Sequence, residues 1–126
     1  QYGVRTGALK VGIIPAEQLN FFDDDAYALA YKTTLAQLEE EGFEFVEIDY
    51  APFAEAAKLL YEGPWVAERY LATQPLIDDN PEAIFPVVRD IISKGNKPKA
   101  TDLFSAEYRL KALKIICDQQ LATVDC

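Results

Sequence analysis

The sequence contains no histidine and no methionine, few serines and cysteines, and no apolar run longer than a few residues. Without histidine, Ser-His-Asp triads, Cys-His dyads and the commonest zinc ligand are excluded together. The only serines are Ser93, beside Lys94 and Gly95 at a helix end, and Ser105, which follows Phe104 in an amphipathic stretch. Local structure accounts for both better than nucleophilic catalysis does. Cys117 and Cys126 are too few for a disulfide framework and read as reduced thiols, with Cys117 a core residue. No segment is apolar for long enough to span a bilayer, and the amino end lacks a basic-then-apolar signal pattern, so a cytoplasmic location is expected. A chain with no methionine that opens at Gln1 is expected to be an internal piece of a longer translation product or a processed fragment.

What is present fits one soluble globular domain or part of one: 126 residues, 50% hydrophobic and 26% charged. The charge is one-sided, with 21 acidic against 12 basic residues and a net charge of −9. The only clustered lysines, Lys94, Lys97 and Lys99, lie in one short turn, so nothing forms the basic stripe that a phosphate backbone attracts. Nucleic acid is not an expected partner. Asp23, Asp24 and Asp25 precede a helix and read as caps and dipole partners rather than as metal ligands, so no metal and no cofactor is expected. Glu39, Glu40 and Glu41 read as a solvated helix end.

The order of elements is α/β. Leu9–Pro15 is a short apolar run ended by proline, read as a strand covered on both faces. Asp23 or Asp24 caps a helix whose apolar face is Tyr27, Tyr31, Leu35 and Leu38, and Gly42 stops it. Phe43–Asp49 reads as a second strand, which completes a right-handed βαβ unit with parallel strands. Several helices follow. One spans Ala51–Tyr61, and a second opens near Pro64 and runs to about Tyr70 or Leu71. ATQPLIDDNP is read as a loop. A third helix is capped by Asn80, with Pro86 as a kink, and the longest is capped by Thr101, with Leu103, Ala106, Leu110, Leu113, Cys117 and Leu121 on its apolar face. ATVDC reads as the first residues of another strand. Two parallel strands do not stand alone, so the unpaired edges are expected to recruit other chains and a homo-oligomer is expected.

One stretch, LLYEGPWVAERY, looks like a helix divided by Gly63 and Pro64, residues a helix interior tolerates poorly. In an unbroken helix Tyr61 and Arg69 would be separated by about 12 Å along the axis and roughly 80° around it. A turn at Gly63 and Pro64 allows the Arg69 guanidinium to return toward the Tyr61 hydroxyl, so that both donate to one carboxylate. The simpler alternative pairs Arg69 with Glu62 and leaves Tyr61 in the core. Trp65 reads as a packing anchor and Arg109, between Glu107 and Lys111, as a surface helix residue.

The run DYAPFAEAAKLLYEGPWVAERYLA, and with it FPVVRDIISKGNKPKATDLFSAEYRLKAL, resembles the region after the catalytic core in allophanate hydrolases of the amidase signature family. LKVGIIPAEQLNFFDDDAYALAY is similar to that family's strand and FFGD-type segment, with Asp24 in place of the glycine. The resemblance covers essentially the whole chain, and its most specific part is YEGPWVAER at Tyr61 to Arg69. It implies a partial amidase α/β/α sandwich, with residues 1–126 forming a C-terminal portion of the catalytic domain.

The implied parent is an enzyme that hydrolyses allophanate, the product of biotin-dependent urea carboxylation, to ammonia and carbon dioxide, and it is in some cases linked to a urea carboxylase. The family's Ser-Ser-Lys machinery has no counterpart here, because the chain has no adjacent serines. No catalytic residue is therefore assigned, and the isolated chain is expected to be inactive. Tyr61 and Arg69 fall on the positions that hold the substrate carboxylate, which favours the clamp over the Glu62 pairing. The alternatives are a non-catalytic module for small carboxylates, a segment of another amidase of the same fold and a nucleotide-binding half-domain. The last is disfavoured because the first strand runs into IPAEQLNFF and not into a glycine-rich loop.

Overall fold

The computed structural model describes residues 7–126. The chain divides into two compact units, residues 1–51 with 116–126, and residues 52–115.

The first unit is built on a βαβ arrangement. Strand β1 (Lys10–Ile13) pairs in parallel with β2 (Glu44–Glu47), and Val11 lies opposite Phe45. Each is shorter than the apolar run that contains it, because the ladder ends where Leu9 and Ile13 accept the amides of Glu44 and Ile48. Val11, Gly12 and Ile13 are half-buried, so the covering expected on both faces is incomplete among the described residues. The carboxyl end runs along the other edge of β1. Cys126 N–H donates to the Lys10 carbonyl at 3.3 Å and the Cys126 carbonyl accepts from Gly12 N–H at 2.7 Å. That alternation is the parallel pattern, and ATVDC begins to pair with β1 as a strand would.

Helix α1 (Asp25–Glu40) connects the strands. Asp24 caps it by accepting from Tyr27 N–H at 2.9 Å. At the other end Gly42 takes φ 89°, and its amide and that of Phe43 return to the carbonyls of Glu39 and Leu38. This closure needs a left-handed residue, which glycine supplies without a Cβ penalty. The half-buried face is Ala28, Tyr31, Leu35 and Leu38, whereas Tyr27 is 65% exposed and packs edge-on to Phe21. Two residues before the helix are left-handed, Phe22 at φ 53° and Asp23 at φ 63°. Asp24 is occupied as the cap, so the place that suits a glycine in FFDD is Asp23, a correction to the assignment made from sequence.

The second unit is helical apart from its turns. Helix α2 (Ala51–Glu62) begins at the unit boundary, with Pro52 in its first turn, where a missing N–H costs nothing. Helix α3 (Val66–Asp79) runs through most of the segment expected to be a loop. Pro75 deletes one bond, to the carbonyl of Leu71, but Leu71 is 69% exposed and water is at hand. The half-buried positions Tyr70, Thr73, Gln74 and Ile77 continue the face begun by buried Val66, and this packing outweighs the local composition.

The expected kink at Pro86 is instead a start. Pro81–Ala83 forms one 3₁₀ turn, Ile84 and Phe85 are extended at ψ 130° and 131°, and helix α4 (Pro86–Ile92) opens with proline in its first turn. Proline excludes the helical region for the residue before it. A 3₁₀ turn, Ser93–Asn96, leads to helix α5 (Ala100–Leu121). Thr101 lies inside its first turn, and the reciprocal contact is Lys99 N–H donating to the Asp102 carboxylate at 2.8 Å. No helix among the described residues is long and apolar enough to cross a membrane.

Candidate functional site

The break between α2 and α3 is built by residue type. Gly63 N–H still bonds to the Leu59 carbonyl at 3.0 Å, but a Cβ on Gly63 would stand 2.3 Å from that oxygen. Any side chain there would push the turn open. Pro64, which is buried, has no N–H to continue the helix, and Ala67 and Glu68 restart the chain with bonds to the carbonyls of Pro64 and Trp65. Trp65 is half-buried against Gly63 and joins Ala56, Leu59, Leu60 and Leu110 around an apolar hollow of about 150 Å³. It is the anchor expected from sequence.

Tyr61 stands in the last turn of α2 and is 65% exposed, and Arg69 stands exposed in the first turn of α3. The structure therefore puts the two on separate helices that flank one tight turn. Arg69 makes no side-chain hydrogen bond or ion pair among the described residues, Glu62 included, although both ends of the break lie in the same unit.

The other two described arginines are engaged. Arg89 Nη1 lies 2.8 Å from the Glu82 carboxylate and 3.2 Å from the Pro81 carbonyl. Arg109 grips Glu55 through Nε and Nη2, each at 2.5 Å. The hydrogen bonds from Arg109 hold the Glu55 carboxyl below its ordinary range, and Glu55 raises the guanidinium in return. Arg109 is an exposed helix residue, as read from sequence, and this two-pronged pair between α2 and α5 gives it a partner that reading did not name. A separation of 54 positions left no local signal for it.

A larger concavity of about 380 Å³ lies in the first unit, beyond the carboxyl ends of the strands, lined by Phe21, Phe22, Tyr27, Tyr31 and Tyr50 among others. Its amide side chains already hold hydrogen bonds within the unit. Gln18 donates to Asp49 at 2.8 Å and accepts from Tyr50 N–H at 2.6 Å, and Asn20 accepts from Phe22 N–H at 2.9 Å. Asp49 itself is held below its ordinary value, first by the Ala51 amide and then by Gln18. The lining carries no charged side chain. Of the two places, only the α2–α3 break offers an uncommitted cation.

The comparisons with known proteins agree on one source. No family model matches the sequence. A urea amidolyase of Saccharomyces cerevisiae is 33% identical over 117 residues, which is 91% of this chain and 6% of that protein. A urea amidolyase of Lachancea kluyveri is 37% identical over 97 residues, 75% of this chain and 5% of the relative. Among solved structures, Kluyveromyces lactis allophanate hydrolase superposes with a TM-score of 0.85 at 31% identity, over 94% of this chain and 19% of that one. The urea amidolyase of the same yeast gives 0.85 at 31%, over 94% of this chain and 7% of its own.

The helix-rich fold with its small parallel sheet is thus that of a segment of proteins named urea amidolyase and allophanate hydrolase. The chain matches, in sequence and in fold, a segment of allophanate hydrolase. It spans only a small fraction of the length of each relative it matches.

Proposed function

We propose that this chain is the part of an amidase-signature allophanate hydrolase that binds the substrate carboxylate, within a parent enzyme that hydrolyses allophanate to ammonia and carbon dioxide. Tyr61 and Arg69 are the binding residues. Residues 1–126 are a C-terminal portion of the catalytic domain, in an α/β/α sandwich completed by the rest of the parent, and the nucleophile and base come from outside these residues. The parent is cytoplasmic, assembles as a homo-oligomer and works with a biotin-dependent urea carboxylase, to which it is in some cases joined.

The observation that carries this reading is the uncommitted Arg69 guanidinium across a glycine-proline break from the exposed Tyr61 hydroxyl. A carboxylate is the ligand for which a planar fork and a neutral hydroxyl are jointly suited. Allophanate carries one, and ordinary neutral amides do not. In the full-length protein, Arg69→Lys is expected to raise KM for allophanate about tenfold or more while the fold is kept, because an ammonium cannot make the two-pronged contact. Unchanged kinetics in that variant would refute the assignment.

A further inference from the structure

Arg69 lies between two residues of α3 that are pressed from one side by a single glycine. Gly95, in the 3₁₀ turn Ser93–Asn96, is buried, and a Cβ built on it would stand 2.5 Å from the Val66 carbonyl oxygen and 2.5 Å from Tyr70 Cβ. Val66, 4% exposed, starts the helix, and Tyr70 is one helical turn on. Contacts this short leave no room for even a methyl group, and one of the two partners is backbone, which no rotamer change can move. Positions 66 and 70 share a face of the helix, with Arg69 on the flank beside it, turned to solvent. The turn therefore fixes the first two turns of α3, and with them the place from which the Arg69 side chain departs.

We infer that Gly95 is a positioning residue for the carboxylate site: by seating the Ser93–Asn96 turn directly on Val66 and Tyr70, it sets where the Arg69 guanidinium stands relative to Tyr61. This rests on the reading of Tyr61 and Arg69 given above. It adds that selectivity for a carboxylate depends on a packing contact 26 positions away in sequence, made by a residue with no side chain. A methyl group at position 95 must push α3 and the turn apart by a distance comparable to the tolerance of a two-pronged hydrogen bond, which loses strength within a few tenths of an ångström and tens of degrees.

The test uses the full-length protein with three variants, Gly95→Ala, Val66→Ala and Arg69→Lys, each checked for fold by circular dichroism. Two probes are compared. Allophanate is assayed as substrate, and biuret, its neutral carboxamide counterpart, as alternative substrate or competitive inhibitor. Gly95→Ala is expected to raise KM for allophanate about tenfold, with kcat within about threefold and biuret binding within about twofold, the pattern of lost binding at the carboxylate alone. Val66→Ala, which removes two methyl groups from the buried residue whose carbonyl Gly95 meets and so loosens the seating of the helix start, should move KM for allophanate in the same direction by about threefold, and it carries the test if Gly95→Ala does not fold.

Equal losses for allophanate and biuret, or unaltered kinetics in the folded variants, would overturn the inference. If Arg69→Lys raises KM while neither packing variant does, the carboxylate clamp stands and the positioning role falls. If Arg69→Lys has no effect, both fall.

Discussion

The two units of this chain differ in where they keep their charge and where they keep their core. Residues 1–51 and 116–126 contain twelve acidic and three basic residues, which is the whole of the net charge of −9, whereas residues 52–115 have nine of each. The described hydrophobic residues that are buried, Val66, Ala106 and Leu113, all belong to the neutral unit. The acidic unit keeps its strands and the inner face of α1 only half-buried, with Phe22 84% and Leu29 66% exposed. Two helical layers can close on one another with a few well-placed side chains. A two-stranded parallel sheet has two faces and two edges to cover and needs more elements than this unit supplies. Like charge spread over so small a unit adds self-repulsion.

The largest test of this contrast is in the cores. Leu113→Ala in the neutral unit, at 1% exposure, is expected to cost about 3 kcal/mol, and Leu38→Ala on the half-buried face of α1 about 1 kcal/mol, in urea unfolding. Equal costs would show that the acidic unit has a true core of its own. A smaller pair of opposed effects sharpens the account of the α1 entry. Asp24→Ala removes the cap and should destabilise by about 1 kcal/mol, whereas Asp23→Gly relieves a left-handed residue and should stabilise by up to about 1 kcal/mol. Two changes of the same sign would place the glycine position elsewhere.

The smallest effect is with pH. Asp49 and Glu55, one in each unit, both have folded values below their ordinary 3.8 and 4.5. The stabilisation each provides is fully present above those ordinary values and is lost as the pH falls through the lowered folded ones. Thermal melts should be insensitive to these groups near neutrality and decline under acid. Asp49→Asn and Glu55→Gln should each flatten part of that decline. A variant that leaves the acid limb unchanged would exclude its residue as a contributor.

The Arg109–Glu55 pair and the seating of Gly95 show why sequence reading reached one part of this protein and not another. The βαβ order, the Asp24 cap, the Gly42 stop and the broken helix with Trp65 as anchor depend on neighbours within a few positions, and each is legible from residue type and spacing. YEGPWVAER carried the family resemblance in the same way, and sequence and fold comparison agree with it. The continuation of α3 through Pro75 was not legible, because local composition argued for a loop while a packed face, visible only in three dimensions, kept the helix. Nor was the division at Pro86 read correctly, although the rule that governs the residue before a proline was available.

By itself, then, the sequence determined where α1 starts and stops, which residues flank the break, and that the chain carries no histidine or serine-pair chemistry of its own. Only the tertiary structure decided that Arg89 and Arg109 are engaged while Arg69 is not, and that a buried glycine braces the helix bearing it. The physical reason is range. Capping, propensity and proline stereochemistry act over one turn of chain, whereas ion pairing and close packing join residues that only folding brings within a few ångströms.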